Sequence, residues 1–271
     1  MKEKSSLNVA AVQMVSGASV EANLAKANQL VTAAVEKGAQ LVLLPEYFCF
    51  MGRRDADKLA IAETPGAGPI QEFLARTAQR HRIWLIGGTL PLKSEDENRI
   101  YNASLVFDPD GKQVARYDKI HLFGFRKGDE AYDESLSIRA GRPQQQAFQA
   151  PIGRVGLSVC YDLRFPELYR AMGDLSLIVM PAAFTYTTGS AHWEILLRAR
   201  AIENQCYVLA AAQGGRHENG RRTWGHSMLV DPWGEVISCL PEGEGHVEGR
   251  IELTRIDEVR ISLPALRHRV M

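Results

Sequence analysis

The segment 154–168, RVGLSVCYDLRFPEL, places one cysteine, Cys160, where a strand-like run gives way to a helix start. Val155, Leu157 and Val159 alternate as a strand requires. Pro166 and Glu167 suit a first helical turn, where proline loses no needed donor and an acid meets the positive helix end. A side chain on such a turn is presented outward, and the N–H of the next residue, Tyr161, is free to point at whatever the sulfur attacks, as an oxyanion hole requires. A thiol of ordinary pKa, near ~8.5, is only a few per cent thiolate at neutral pH, so attack on an unactivated amide needs a base within reach. Two residues of useful type also stand at strand ends: Glu46 closes LVLLPE (41–46), and Lys119 ends the strand 112–120. Acids at the carboxyl ends of buried strands lie where α/β folds collect ligands. Each residue has a structural reading too, as a buried thiol, a surface acid and a solvated strand terminus.

The whole chain limits what this chemistry can act on. Lys plus Arg and Asp plus Glu balance at 32 each in 271 residues, so no basic field invites nucleic acid and the expected ligand is small. No apolar run reaches about 18 residues, and the polar start MKEKSSLNVAAVQM lacks a signal peptide's apolar core, so no membrane association and a cytoplasmic location are expected. Cysteines 49, 160, 206 and 239 form no CxxC, and the seven histidines never fall as HxH or HExxH. Neither a disulfide framework nor a metal site is in view, and no cofactor is expected.

The elements that must hold these residues alternate. A strand (7–14), a helix (18–37), a strand (41–46), a helix (69–82) and a strand (83–90) give βαβαβ, with 51–68 as loop. A hairpin follows, pairing 101–108 with 112–120 through Asp108-Pro109-Asp110-Gly111. The segment 121–143, which contains Glu134, shows no period and reads as a long functional loop. The second half repeats the order, with the cysteine strand, a helix (166–173), a strand (175–184), a helix (191–205) and a strand (206–213), then strands 226–231, 235–240 and 246–253. One domain over 1–271 is expected. Two such halves suggest an α/β, four-layer αββα sandwich of two mixed sheets with helices outside.

With LLPEYF around Glu46, YDKIHLF around Lys119, DES at Glu134 and GLSVCYDLRFPEL around Cys160, the chain resembles the nitrilase superfamily of carbon–nitrogen hydrolases. AAFTYTTGSAHWEILLRARAIENQCYV (182–208) and WGHSMLVDPWGEVI (224–237) extend the resemblance over nearly the whole chain. It implies the αββα fold, a Glu46-Lys119-Cys160 triad, Glu134 beside it to hold the lysine or the substrate amide, and a dimer or higher homo-oligomer. In that reading Glu46 takes the thiol proton, burial near Leu44 and Phe48 raises its pKa, and Lys119 with the Tyr161 N–H receives the oxyanion. A Cys160-His226-Asn204 arrangement is the competing thiol hydrolase, and a catalytically inactive scaffold is the non-enzyme reading. His121 and His192 read as structural rather than catalytic.

Substrate contacts are expected from loops near 51–58, 121–140 and 184–192, with Arg164, Phe184, Thr185 and His192 as candidates. Arg164 could grip a carboxylate bidentately or cap a network. The run 187–220 looks most like the branch that hydrolyses deaminated glutathione, giving 2-oxoglutarate and cysteinylglycine. An ω-amidase acting on 2-oxoglutaramate is the nearest alternative; N-carbamoyl amine hydrolysis and nitrile hydrolysis stand further off. The tail 260–270 looks suited to crossing onto a neighbouring copy.

Overall fold

The computed structural model describes residues 6–128 and 130–270. Residues 1–5, which open the polar N-terminal stretch, Asp129 within the expected loop, and Met271 lie outside the described residues. The first half builds one sheet. Strands β1 (Ser6–Gln13), β2 (Leu41–Leu43) and β3 (Trp84–Ile86) run parallel, joined by helices α1 (Val20–Glu36) and α2 (Pro69–His81). Then β4 (Leu90–Lys93), β5 (Ile100–Phe107) and β6 (Gln113–Asp118) add antiparallel pairs, β5 bonding both others. A separate small hairpin joins β7 (Gly124–Lys127) and β8 (Glu130–Asp133).

The second half builds the facing sheet from β9 (Gln146–Ala150), β10 (Gly153–Leu157), β11 (Leu177–Ala182), β12 (Tyr207–Ala212), β13 (Ser227–Val230) and β14 (Val236–Leu240), in the order β14-β13-β12-β11-β10-β9. Helices α3 (Pro166–Ala171) and α4 (Tyr186–Asn204) connect and cover it. Strand β15 (Gly245–Glu252) returns to the first sheet, antiparallel to β1, and α5 (Leu253–Ser262) follows.

Side-chain alternation creates the layers. Leu7, Val9 and Ala11 of β1, with Leu41 and Leu43 of β2, turn toward the second sheet and share a core with Val155, Leu157, Val179 and the α4 residues Trp193 and Leu197. The intervening Ala10, Val12 and Val42 turn the other way, onto Ala27 and Val31 of α1 and Ile70 and Leu74 of α2. The result is the αββα sandwich of two mixed sheets. A one-residue slip in β1 would reverse both faces, so its register is strongly fixed.

Several elements differ from the sequence reading. The strand expected over 83–90 is split at Gly87-Gly88, where the chain turns so close to the preceding loop that a Cβ on Gly88 would lie 2.0 Å from the Pro45 carbonyl oxygen. The segment 121–143 is not structureless: it holds the β7–β8 hairpin and a 3₁₀ turn, Glu134–Leu136, both too short and too exposed to show a period. A 3₁₀ turn, Asp55–Ile61, likewise lies within 51–68. Strand β9 and helix α5, in weakly apolar sequence, have no counterpart in that reading. Helix α4 starts at Tyr186 rather than 191, because Thr185 caps it by accepting from the Thr188 N–H at 3.2 Å, and its polar first turn hides the apolar spacing.

Candidate active site

Both sheets end at the same place. The β1 and β12 strands meet through the Gly214 N–H donating to the Met14 carbonyl at 2.9 Å, and the fully buried Gln213 fastens the loops there. Its amide nitrogen donates to the Ser16 hydroxyl at 2.8 Å and to the Glu46 carbonyl at 3.0 Å. Glu46 thus lies beyond the end of β2 in a tight turn. Tyr47 there adopts φ 57°, and its N–H donates to the Thr89 hydroxyl at 2.9 Å.

The structure brings Glu46, Lys119, Glu134 and Cys160 together. Lys119, immediately after β6 and 0 % exposed, donates through Nζ to Glu46 Oε1 at 3.0 Å and to Glu134 Oε1 and Oε2 at 3.0 and 2.8 Å. Glu134 also accepts from the Tyr47 hydroxyl at 2.8 Å and the Phe123 N–H at 2.8 Å. Glu46 accepts in addition from Asn102 Nδ2 at 2.9 Å. Cys160 follows β10 at the head of a 3₁₀ turn, Cys160–Arg164, with φ 50°, a left-handed conformation unusual for a side chain of this kind. That turn, rather than an immediate α-helix, separates the cysteine from α3. The Tyr161 N–H, second in the turn, has no acceptor within it.

One buried carboxylate holds the cysteine turn in place. Asp162 accepts from the Val159 N–H at 2.8 Å and the Tyr117 hydroxyl at 2.7 Å, and its other oxygen meets His121 Nδ1 at 2.6 Å. His121 stacks on Phe165, with ring centroids 3.7 Å apart, so it is committed to this support.

These contacts shift the ionisations. Burial raises the Glu46 carboxyl, Lys119 opposes the rise, Glu134 adds to it, and a hydrogen bond from Cys160 works against it; the net direction is upward. Burial also acts to raise Glu134, but the charge and hydrogen bonds of Lys119, the Phe123 N–H and nearby Lys58 outweigh it and hold this carboxyl low. Lys119 loses hydration, yet Glu134, Glu46 and Cys160 together keep it protonated far above its ordinary range. The Cys160 thiol is pushed well up, first by burial and then by Glu46 and Glu134, against the pull of Lys119. The two carboxyls are therefore driven apart, one toward accepting a proton and the other fixed as an anion. Such separation suits one of them to proton transfer.

Cys160 opens onto a small cavity that Tyr161, Arg164, Phe184 and Thr185 also line. Arg164 lies over the Phe184 and Tyr161 rings, at 5.4 and 5.7 Å. His192 is not among the lining residues. His192 sits on an exposed position of α4, where its Nδ1 meets Arg164 Nη1 at 3.2 Å. The competing Cys-His-Asn set is not assembled: His226 Nδ1 pairs with the Trp224 carbonyl at 2.9 Å, and Asn204 donates to the Arg200 carbonyl at 2.9 Å. Among the described residues, no group of three or more His, Cys, Asp or Glu is arranged to hold a metal, and no helix is long and apolar enough to cross a membrane.

Asn102, Asp162 and Gln213 escape the sequence reading, yet each is a polar residue in or beside an apolar strand run. That pattern is a usable signal, since a buried polar group needs a partner.

Comparison with known proteins bears on the family and the fold. The family model for carbon–nitrogen hydrolases matches residues 8–261. The chain is 43% identical over 266 residues to a deaminated glutathione amidase of Yersinia enterocolitica, covering 96% of this chain and 92% of that one. It is 41% identical over 266 residues to another protein of that name from Synechocystis sp., covering 96% and 97%. The crystal structure of Saccharomyces cerevisiae Nit3, a member of branch 10 of the nitrilase superfamily, matches with a TM-score of 0.89 at 29% identity, covering 100% of this chain and 99% of that one.

Proposed function

The chain belongs to the carbon–nitrogen hydrolase family, and from that premise we propose that Cys160 is its nucleophile, Glu46 its base and acid, and Lys119 with the Tyr161 N–H its oxyanion donors. The protein is an amidase, a hydrolase of carbon–nitrogen bonds other than peptide bonds. The observation that carries the assignment of roles is the buried Glu46-Lys119-Glu134 hydrogen-bonded cluster facing the Cys160 thiol.

At rest the thiol keeps its proton, because burial and two carboxylates disfavour the thiolate. Glu46, with its raised pKa, takes that proton as sulfur attacks the amide carbon. Neutralising Glu46 weakens its claim on Lys119 Nζ, which frees an N–H to join the Tyr161 N–H at the developing oxyanion. Losing one such donor typically costs ~3–4 kcal/mol of barrier. Collapse breaks the C–N bond, the departing amine takes the proton from Glu46, and a thioester remains on Cys160. Water then gives a proton to Glu46 and attacks the thioester; the carboxylic acid leaves and the thiol is restored. Glu134, held low by Lys119, keeps the lysine charged and fixed throughout.

The substrate is deaminated glutathione, hydrolysed to 2-oxoglutarate and cysteinylglycine. Relatives of that name at 41% and 43% identity over nearly the whole chain support it. Arg164, on the Cys160 cavity wall, binds the carboxylate of the 2-oxo acid half, with Phe184 and Thr185 beside it. The whole chain acts as one hydrolase domain in the cytosol, and copies associate through an apolar face. Ile195 and Ile202 of α4 and Trp233 and Ile237 of the adjoining hairpin are 69, 48, 51 and 47 % exposed, which supports such a face. The tail beyond α5, with Leu263 and Val270 exposed, would reach a neighbour.

Side-by-side kcat/KM values for deaminated glutathione, 2-oxoglutaramate, an N-carbamoyl amine and an aryl nitrile test the substrate. Deaminated glutathione should lead. A tenfold preference for 2-oxoglutaramate, only about 1.4 kcal/mol of differential transition-state binding, would reverse the assignment.

A further inference from the structure

A second, small cavity adjoins the one that holds Cys160: Phe123, Ala183 and Thr185 line both. It contains no catalytic side chain. Instead, Arg221 and Arg222 stand on its wall beside Tyr47 and Tyr132. We propose that this cavity binds the amine half of the substrate, and that Arg221 and Arg222 recognise a carboxylate at the far end of that half. The proposal rests on the amidase reading above.

The assignment of halves follows from the chemistry. The acyl half stays bonded to Cys160 after the C–N bond breaks, so it must occupy the cavity that contains the sulfur and Arg164. The amine half must leave through adjoining space. An amine ending in a carboxylate, such as a dipeptide, spans at most about 7 Å from nitrogen to terminus when extended, a short enough reach for a neighbouring cavity.

The cavity's polar groups point the same way. The Tyr47 hydroxyl is committed to Glu134 at 2.8 Å, the Thr185 hydroxyl to Thr188 at 3.0 Å, and the Thr223 hydroxyl to His217 Nε2 at 2.8 Å. The guanidinium groups are less fully engaged. Arg221 meets Asp55 through Nη1 at 3.3 Å and hydrogen-bonds the Tyr132 hydroxyl, and Arg222 donates through Nη2 to both Glu242 carboxylate oxygens at 3.3 and 3.4 Å. A guanidinium carries five N–H donors, so these few contacts leave donors for a ligand.

Both arginines are also held in place. Arg221 lies over the Tyr132 ring at 4.7 Å and Arg222 over the Tyr186 ring at 3.9 Å. Their backbone is tied as well: the His217 N–H donates to the Arg221 carbonyl at 2.8 Å, and the Tyr186 N–H to the Arg222 carbonyl at 3.0 Å. Planar cations stacked on aromatic faces are pre-organised for a carboxylate.

The test uses wild-type enzyme, Arg221→Met, Arg222→Met and the double variant. Three substrates are compared: deaminated glutathione, the same compound with its terminal glycine carboxylate capped as a methylamide, and 2-oxoglutaramate. The ratio of kcat/KM for deaminated glutathione to that for 2-oxoglutaramate should fall tenfold or more in the double variant. Capping should cost the wild type a similar factor and the double variant less than twofold. A ratio that survives in the double variant, or a wild type indifferent to capping, would overturn the proposal; the second comparison needs no variant to fold. A wild type that prefers 2-oxoglutaramate would instead overturn the substrate reading itself.

Discussion

Replacing Lys119 by methionine should expose how the buried charges are balanced. The ammonium makes three contacts, at 3.0, 3.0 and 2.8 Å, with two carboxylates, and Glu46 and Lys119 are 1 % and 0 % exposed. Removing one partner of a buried ion pair costs about 3–5 kcal/mol, because the other charge is left uncompensated. At roughly 2–4 °C per kcal/mol, the unfolding midpoint should fall by about 6–20 °C. Glu134 would retain the Tyr47 hydroxyl and the Phe123 N–H, whereas Glu46 would keep only Asn102 among its side-chain donors outside the catalytic thiol. Adding Glu46→Gln to Lys119→Met should therefore recover part of the loss. The pH dependence carries a sign. In the wild type Glu46 is raised and Glu134 lowered, so their slopes oppose one another. Without Lys119 burial and mutual repulsion raise both carboxyls. A raised carboxyl contributes stability that is complete below its unfolded value near ~4.3 and lost as pH rises through the folded value. Denaturant unfolding of wild type, Lys119→Met and the double variant from pH 4 to 8 should show Lys119→Met losing stability with rising pH more steeply than wild type. A double variant no more stable than Lys119→Met, or a flat pH profile for Lys119→Met, would refute this charge balance.

Three further substitutions probe separate parts of the site. Glu46→Gln should lower kcat by roughly 10²–10⁴-fold and slow iodoacetamide labelling of Cys160, while thermal stability holds or rises because a costly buried charge is gone; undiminished labelling across pH 6 to 9 would mean that another group activates the thiol. Asp162→Asn, which disturbs the contacts to Tyr117, Val159 and His121, should reduce kcat/KM on the order of 10²-fold by letting the cysteine turn drift, and full activity would show that the turn holds itself. Gly88→Ala, which puts a Cβ 2.0 Å from the Pro45 carbonyl oxygen at φ +52°, should destabilise the fold by about 2–4 kcal/mol and depress activity by shifting the Glu46 turn, as denaturant titration with a parallel rate assay would show.

The layered fold was legible because β1, α1, α2 and the apolar strands carry strong periods that tertiary packing leaves intact. What stayed hidden is local. GFRK and EAYD, in β7 and β8, are too short for periodicity, and the polar first turn of α4 masks its start at Tyr186. The polar residues that meet at the site were named because their types imply chemistry at strand ends. Their supports were not: Asn102, Asp162 and Gln213 lie 56, 2 and 167 residues from the groups they hold, counted to Glu46, Cys160 and Glu46, and only the closing of the two sheets shows who pairs with whom. The cavity containing Arg221 and Arg222 is hidden for the same reason, since those residues reach it from a turn-rich link with no pattern of its own.

The central claim is that Cys160 carries the acyl half of the substrate through a thioester. Wild-type enzyme mixed with deaminated glutathione, quenched in acid during turnover and digested for mass spectrometry, tests it directly. The peptide containing Cys160 should carry a 2-oxoglutaryl group that hydroxylamine removes, and Cys160→Ala, folded with normal thermal stability, should show neither adduct nor turnover. Turnover by Cys160→Ala, or an acyl group on any other residue, would contradict it.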